Sequence, residues 1–145
     1  MVERATSEWT TNRIVAMVIG VVFLLIGILG LIFATTNGNI LGFDVDLVHN
    51  LVHLLTGILG IAAAMTGWSR RFNQVFGVIY LLIGLAGLIP AFYIDGRLLG
   101  LMHANAADNI LHLVVGIVAT GVGFFVNETA DVRGRRATDD RMVRP

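Results

Sequence analysis

The twenty charged side chains of this chain leave four long gaps. Residues 14–43, 47–69, 72–94 and 109–127 contain no charge, giving runs of 30, 23, 23 and 19 residues. A helix rises about 1.5 Å per residue and a bilayer core is about 30 Å thick, so roughly 20 apolar residues cross it. Each gap is long enough for one crossing. Only 14% of residues are charged and 56% are hydrophobic, where soluble domains carry about 25% charged residues. The fold class expected is therefore all-α and membrane-embedded: a four-transmembrane-helix bundle over residues 14–127. The spans are expected near 14–34, 46–67, 72–93 and 106–127, between a polar segment 1–13 and a polar, Arg- and Asp-rich tail 128–145 read as disordered. The first apolar run, Ile14 to Ala34, is longer than the roughly 7–15 residues of a secretory signal core and is expected to be a retained helix.

Orientation follows from the arginines. Arg4, Arg13, Arg70, Arg71, Arg133, Arg135, Arg136, Arg141 and Arg144 fall on one side of the expected spans, and only Arg97 on the other. This bias predicts a multi-pass protein of the cytoplasmic membrane, both termini in the cytoplasm, with Trp9 and Trp68 in the inner aromatic belt. The formal net charge of zero conceals the asymmetry. Outside, Arg97 faces Asp44, Asp46, Asp95 and Asp108; inside, nine Arg face Glu3, Glu8, Glu128, Asp131, Asp139 and Asp140.

Several chemistries are excluded. With no cysteine there is no disulfide, iron–sulfur cluster, thiolate zinc site or thiol nucleophile. Neither a Walker-type phosphate loop nor a strand-borne Gly-x-Gly-x-x-Gly is present. No segment between the spans is long enough to bury a core of its own.

The second half of the sequence repeats the first. Residues 18–32 (VIGVVFLLIGILGLI) and 75–89 (VFGVIYLLIGLAGLI) share ten of fifteen identities at an offset of 57. Residues 50–60 (NLVHLLTGILG) and 109–119 (NILHLVVGIVA) share five of eleven at an offset of 59. The pattern predicts two tandem helical hairpins, related by a pseudo-two-fold along the membrane normal because each unit has two spans. Gly20, Gly27 and Gly30, with their counterparts Gly77, Gly84 and Gly87, share one helix face; Gly57 and Gly116 join them as close-packing positions. Pro90 is expected to bend or end the third helix.

Every histidine falls in the outer half. The repeat pairs Asp46 with Asn105 as N-caps of the second and fourth helices, His49 with Asp108 at N3, Asn50 with Asn109, and His53 with His112. On a helical wheel these polar groups share the small-residue face, with His53 and His112 about 10 Å below the helix starts. Three readings of the cluster stand side by side. Asn50, His53, Asn109 and His112 form an interhelical hydrogen-bonded core; or His49, His53, Asp108 and His112 converge on zinc or copper; or His53 and His112 ligate haem. A proton or small-solute path is a further alternative, because ionisable groups inside a membrane are costly. His103, Asp44 and Asp95 read as solvated loop residues.

The strings HNLVHLLTG (49–57) and NAADNILHLVVG (105–116) resemble the signatures of a family of small four-span bacterial membrane proteins whose shared domain has no assigned function. The resemblance covers about residues 14–127 and implies a four-helix membrane architecture, with Asn50, His53, Gly57, Asn109, His112 and Gly116 as the defining positions. The function expected is non-enzymatic: a structural or accessory subunit of a membrane complex or a homo-oligomer, the alternative being a haem- or metal-binding protein. The expected partners are the lipid bilayer and other membrane subunits or further copies of the chain, with no nucleic acid.

Overall fold

The computed structural model describes residues 9–33 and 38–127; the expectations for the first eight residues and for the tail from 128 lie outside them. Four helices account for most of the chain: α1 Thr11–Phe33, α2 Leu47–Thr66, α3 Ser69–Ala86 and α4 Ala106–Phe125. At about 1.5 Å per residue they run from about 27 to 34 Å. Three of them, α1, α2 and α4, are long and apolar enough to cross a membrane, and their outward side chains, such as Leu25, Leu55 and Ile117, are exposed apolar ones. The chain reads as a membrane protein with an all-helical bundle.

The expectation of a further crossing over 72–93 is not matched: α3 is not among the helices long and apolar enough to cross a membrane, and it begins and ends earlier than that window. Helix α3 opens at Ser69, taking Arg70 and Arg71 into its first turn, and closes at Ala86. The closing has a local cause. Pro90 disfavours helical backbone at the residue before it, and Ile89 is extended at φ −111°, ψ 110°. The last amides turn back over three residues instead of four, from Leu88 to Leu85 and from Ile89 to Ala86. A short 3-10 turn, Pro90–Phe92, then leads to the loop.

Helices pack closely in sequential pairs, α1 on α2 and α3 on α4, because glycine removes the side chain where the backbones meet. A Cβ added at Gly20 would stand 2.6 Å from Ile61 N, at Gly27 2.8 Å from Leu54 N, and at Gly57 2.5 Å from Leu24 N. In the other pair Gly77 meets Thr120, Gly84 would put a Cβ 2.9 Å from Leu113 N, and Gly116 would put one 2.7 Å from Leu81 N. Gly30 and Gly87 make room for the side chains of Asn50 and Asn109. Lipid tails are as apolar as the helices, so such van der Waals fit carries the association that water would otherwise drive.

At one end an arginine ties each helix pair. Arg13 Nε donates to Ala64 O at 2.9 Å and Arg70 Nε to Gly123 O at 3.1 Å, satisfying carbonyls near helix C-termini that lack an intrahelical donor. Arg13 and Arg71 also lie over the rings of Trp9 and Trp68, at 5.1 and 5.4 Å. Between α2 and α3 the link is two residues, with Gly67 at φ 82° as the left-handed cap.

At the other end each pair carries a small β-hairpin that sequence reasoning missed: β1 Gly38–Ile40 with β2 Phe43–Val45, and β3 Tyr93–Ile94 with β4 Arg97–Leu98. The turn residues Asp95 and Gly96 both have positive φ, 51° and 76°. Asp-Gly between two short extended segments is the sequence sign of such a turn.

The two helix pairs meet around Ile19, Phe23, Phe76, Tyr80 and Ala119. Phe23 stands edge-on to both Phe76 and Tyr80 at 5.6 and 5.2 Å. Towards the arginine end, Asn73 donates its amide to Asn12 O and Oδ1 at 3.0 and 2.9 Å, with both residues fully buried.

Candidate functional site

The polar residues gather where α2 and α4 begin. Asp46, extended at φ −141°, caps α2 by accepting the His49 N–H on Oδ1 at 2.9 Å. Asn105 caps α4, accepting from Ala107 N and Asp108 N at 2.8 and 3.2 Å, and Asp108 accepts in return from Asn105 N at 2.9 Å. That reciprocal pair is a capping box with Asp at N3.

Each carboxylate also reaches into the other half of the molecule. Asp46 Oδ2 accepts the His103 N–H at 2.6 Å, and Asp108 Oδ2 accepts the Asp44 N–H at 3.0 Å. Asn105 adds a bond from its amide to Gly42 O at 2.9 Å. Burial pushes the Asp46 carboxyl up, but the His49 and His103 N–H groups and the two nearby imidazoles outweigh it and hold the group below the ordinary Asp range. Asp44 and His103 are thus more than solvated loop residues: their amides tie the halves together, and both line a surface cavity of about 280 Å³ with Gly38, Asn39 and Val45.

One turn below, three histidines converge. His49 and His53 sit four residues apart on α2, ring centroids 4.4 Å from each other, and His112 on α4 places its ring 5.8 Å from His49. One ligating nitrogen from each lies within 4.8 Å of the others. The residues are 1%, 6% and 4% exposed. Phe23 meets His53 edge-on at 5.0 Å and Tyr80 meets His112 the same way at 5.1 Å. Both ring nitrogens of His49, and Nδ1 of His53 and of His112, have no hydrogen-bond partner among the described residues. Leaving a buried donor or acceptor unpaired costs about 1–3 kcal/mol, so this constellation asks for an explanation.

Asp108 lies outside this group of three. Its Oδ2 is held by the amides of Asp44 and Asn105. The His49 ring packs against both His53 and His112, and Phe23 and Tyr80 stand edge-on to His53 and His112.

The asparagines part company. Asn109 donates to Gly87 O at 2.8 Å and to the Tyr93 hydroxyl at 3.0 Å, and that hydroxyl donates on to Ala104 O at 3.0 Å. Asn50, its counterpart, has neither amide atom partnered among the described residues. Sequence reasoning missed Tyr93, and also Phe23 and Tyr80, which occupy one position of the repeat at the offset of 57. A larger apolar groove of about 600 Å³ runs between α2 and α3, lined by Val52, Leu59, Phe72, Val75 and Ile79 among others, with no histidine in its lining.

The chain belongs to the family described as Domain of unknown function (DUF4383), whose family model matches residues 13–125. That span takes in α1 from its third residue, the whole of α2, α3 and α4, both β-hairpins and all four histidines. Neither a curated protein nor a solved structure matches the chain.

Proposed function

We propose that this member of the family is a small non-enzymatic protein of the cytoplasmic membrane, an accessory subunit that associates laterally with other membrane subunits or with further copies of itself. It is built as two tandem hairpins with both termini in the cytoplasm and the β-hairpins outside. The observation that carries the reading is how the side chains are divided. Buried polar groups are spent on joining one half to the other, as in Asp46 to His103, Asp108 to Asp44 and Asn73 to Asn12, while the exposed faces of the helices are apolar. A surface of that kind offers its neighbours van der Waals fit. The arginine distribution, nine against one, supports the orientation.

A topology reporter fused after Pro145, combined with native mass spectrometry of gently solubilised protein, tests both parts. The expected outcome is a cytoplasmic signal and a particle heavier than one chain. A reporter active outside the cytoplasm overturns the orientation, and a strictly monomeric, partner-free protein overturns the accessory role.

A further inference from the structure

We infer that His49, His53 and His112 are the protein ligands of a transition-metal ion, zinc(II) or copper(II), bound across the two helix pairs. Three lines of geometry lead there. The first is convergence. Ligating atoms no more than 4.8 Å apart all lie within about 2.8 Å (4.8/√3) of a common point, against about 2.0–2.1 Å in a zinc–imidazole bond. Side-chain adjustments of under about 1 Å close the shell. The second is the state of the nitrogens. A histidine that served only as interhelical glue would spend its ring nitrogens on neighbours, yet His49, 1% exposed, has neither nitrogen partnered among the described residues. An imidazole lone pair that meets no donor in a buried site is available to a cation.

The third is charge. A bare divalent ion in a low-dielectric bundle is expensive unless opposite charge is near. Two buried carboxylates, Asp46 and Asp108, stand at the starts of the helices that carry the imidazoles, each within electrostatic range of His49. They offset the ion's charge through space while remaining occupied as caps. Imidazole ligands without thiolate suit zinc and copper, and a shell of three protein nitrogens leaves a coordination position for a small exogenous ligand. Because α2 gives two ligands and α4 one, the ion also staples one helix pair to the other.

The test uses the intact chain purified in detergent, stripped with a chelator, and titrated separately with zinc(II) and copper(II). Metal content, the thermal midpoint and X-ray absorption of the loaded protein are the readouts. The expected result is one ion per chain, a higher midpoint and a first shell with imidazole scattering. His49→Ala and His112→Ala should each weaken binding at least about tenfold, and Asp95→Asn, in the exposed turn, should leave it unchanged. Folding is followed by circular dichroism. Should the ligand variants not fold, the absorption spectrum of the loaded wild-type chain decides. A folded protein that takes up neither ion, an oxygen-only shell, or binding undiminished in folded His49→Ala overturns the inference.

Discussion

In the first helix pair Gly57 lies against Leu24 and Gly27 against Leu54; in the second, Gly116 lies against Leu81 and Gly84 against Leu113. Arg13 ties the first pair and Arg70 the second through the same Nε-to-carbonyl bond. Counterparts in the first and third helices are 57 residues apart, and in the second and fourth 59. Where α2 and α4 begin, the agreement stops. α2 has a carboxylate at its cap and an imidazole at N3; α4 has an amide at its cap and a carboxylate at N3. Packing tolerates little variation because backbones touch. The helix starts have room to differ, and their differences give three imidazoles a common centre instead of two facing carboxylates.

Filling the glycine contacts should have the largest effect. Gly57→Val and Gly116→Val each drive a side chain into backbone, and both should cost stability at or above the upper end of the about 1–3 kcal/mol seen for overpacking. Thermal unfolding in detergent should rank them alike; tolerance at one site with collapse at the other would show that the two pairs are not held by the same contacts.

Next come the carboxylates. Asp46→Asn and Asp108→Asn each weaken charge-assisted bonds to two amides, a loss of about 1–2 kcal/mol apiece. Asp46 adds a sign. Its folded-state value lies below the ordinary 3.8, so the stabilisation it gives is full above that value and is lost as pH falls through the lower folded one. Denaturation followed from pH 6 downward should show an acid-side loss that Asp46→Asn reduces. An unchanged acid limb in that variant would remove Asp46 from the account.

The smallest effect sharpens the contrast between the asparagines. Tyr93→Phe deletes the hydroxyl that joins Asn109 to Ala104 and should lower stability by about 1 kcal/mol. Asn109→Ala should then cost more in the wild-type background than in Tyr93→Phe, a coupling read from a double-mutant cycle. Additive effects would mean the bond contributes nothing.

Much of this was legible in the sequence for a plain reason: helical period. Gly20, Gly27 and Gly30 fall on one face by their spacing of seven and three, and that face is buried. His49 and His53, four apart, had to share a side of α2. Relations between helices were harder. Nothing in the spacing tells that His103 and Asp44 would send their amides to the opposite carboxylates, or that Asp108 would be held at its cap while three imidazoles met without it. The Asp95–Gly96 turn did carry a readable sign, since Asp-Gly favours a two-residue hairpin turn. The aromatic partners of His53 and His112 hid among apolar residues that any membrane helix would carry.

The crossed bonds at the helix starts make each half an unfinished object. A nascent chain that has delivered only α1 and α2 holds Asp46 with one of its two acceptor positions unanswered and two imidazoles without the third. The second half arrives with the matching debt in Asp108, whose donor Asp44 was made earlier. A half-length chain lacks the amides that the other half supplies to these carboxylates, so the polar groups at the helix starts are satisfied only when both halves are present.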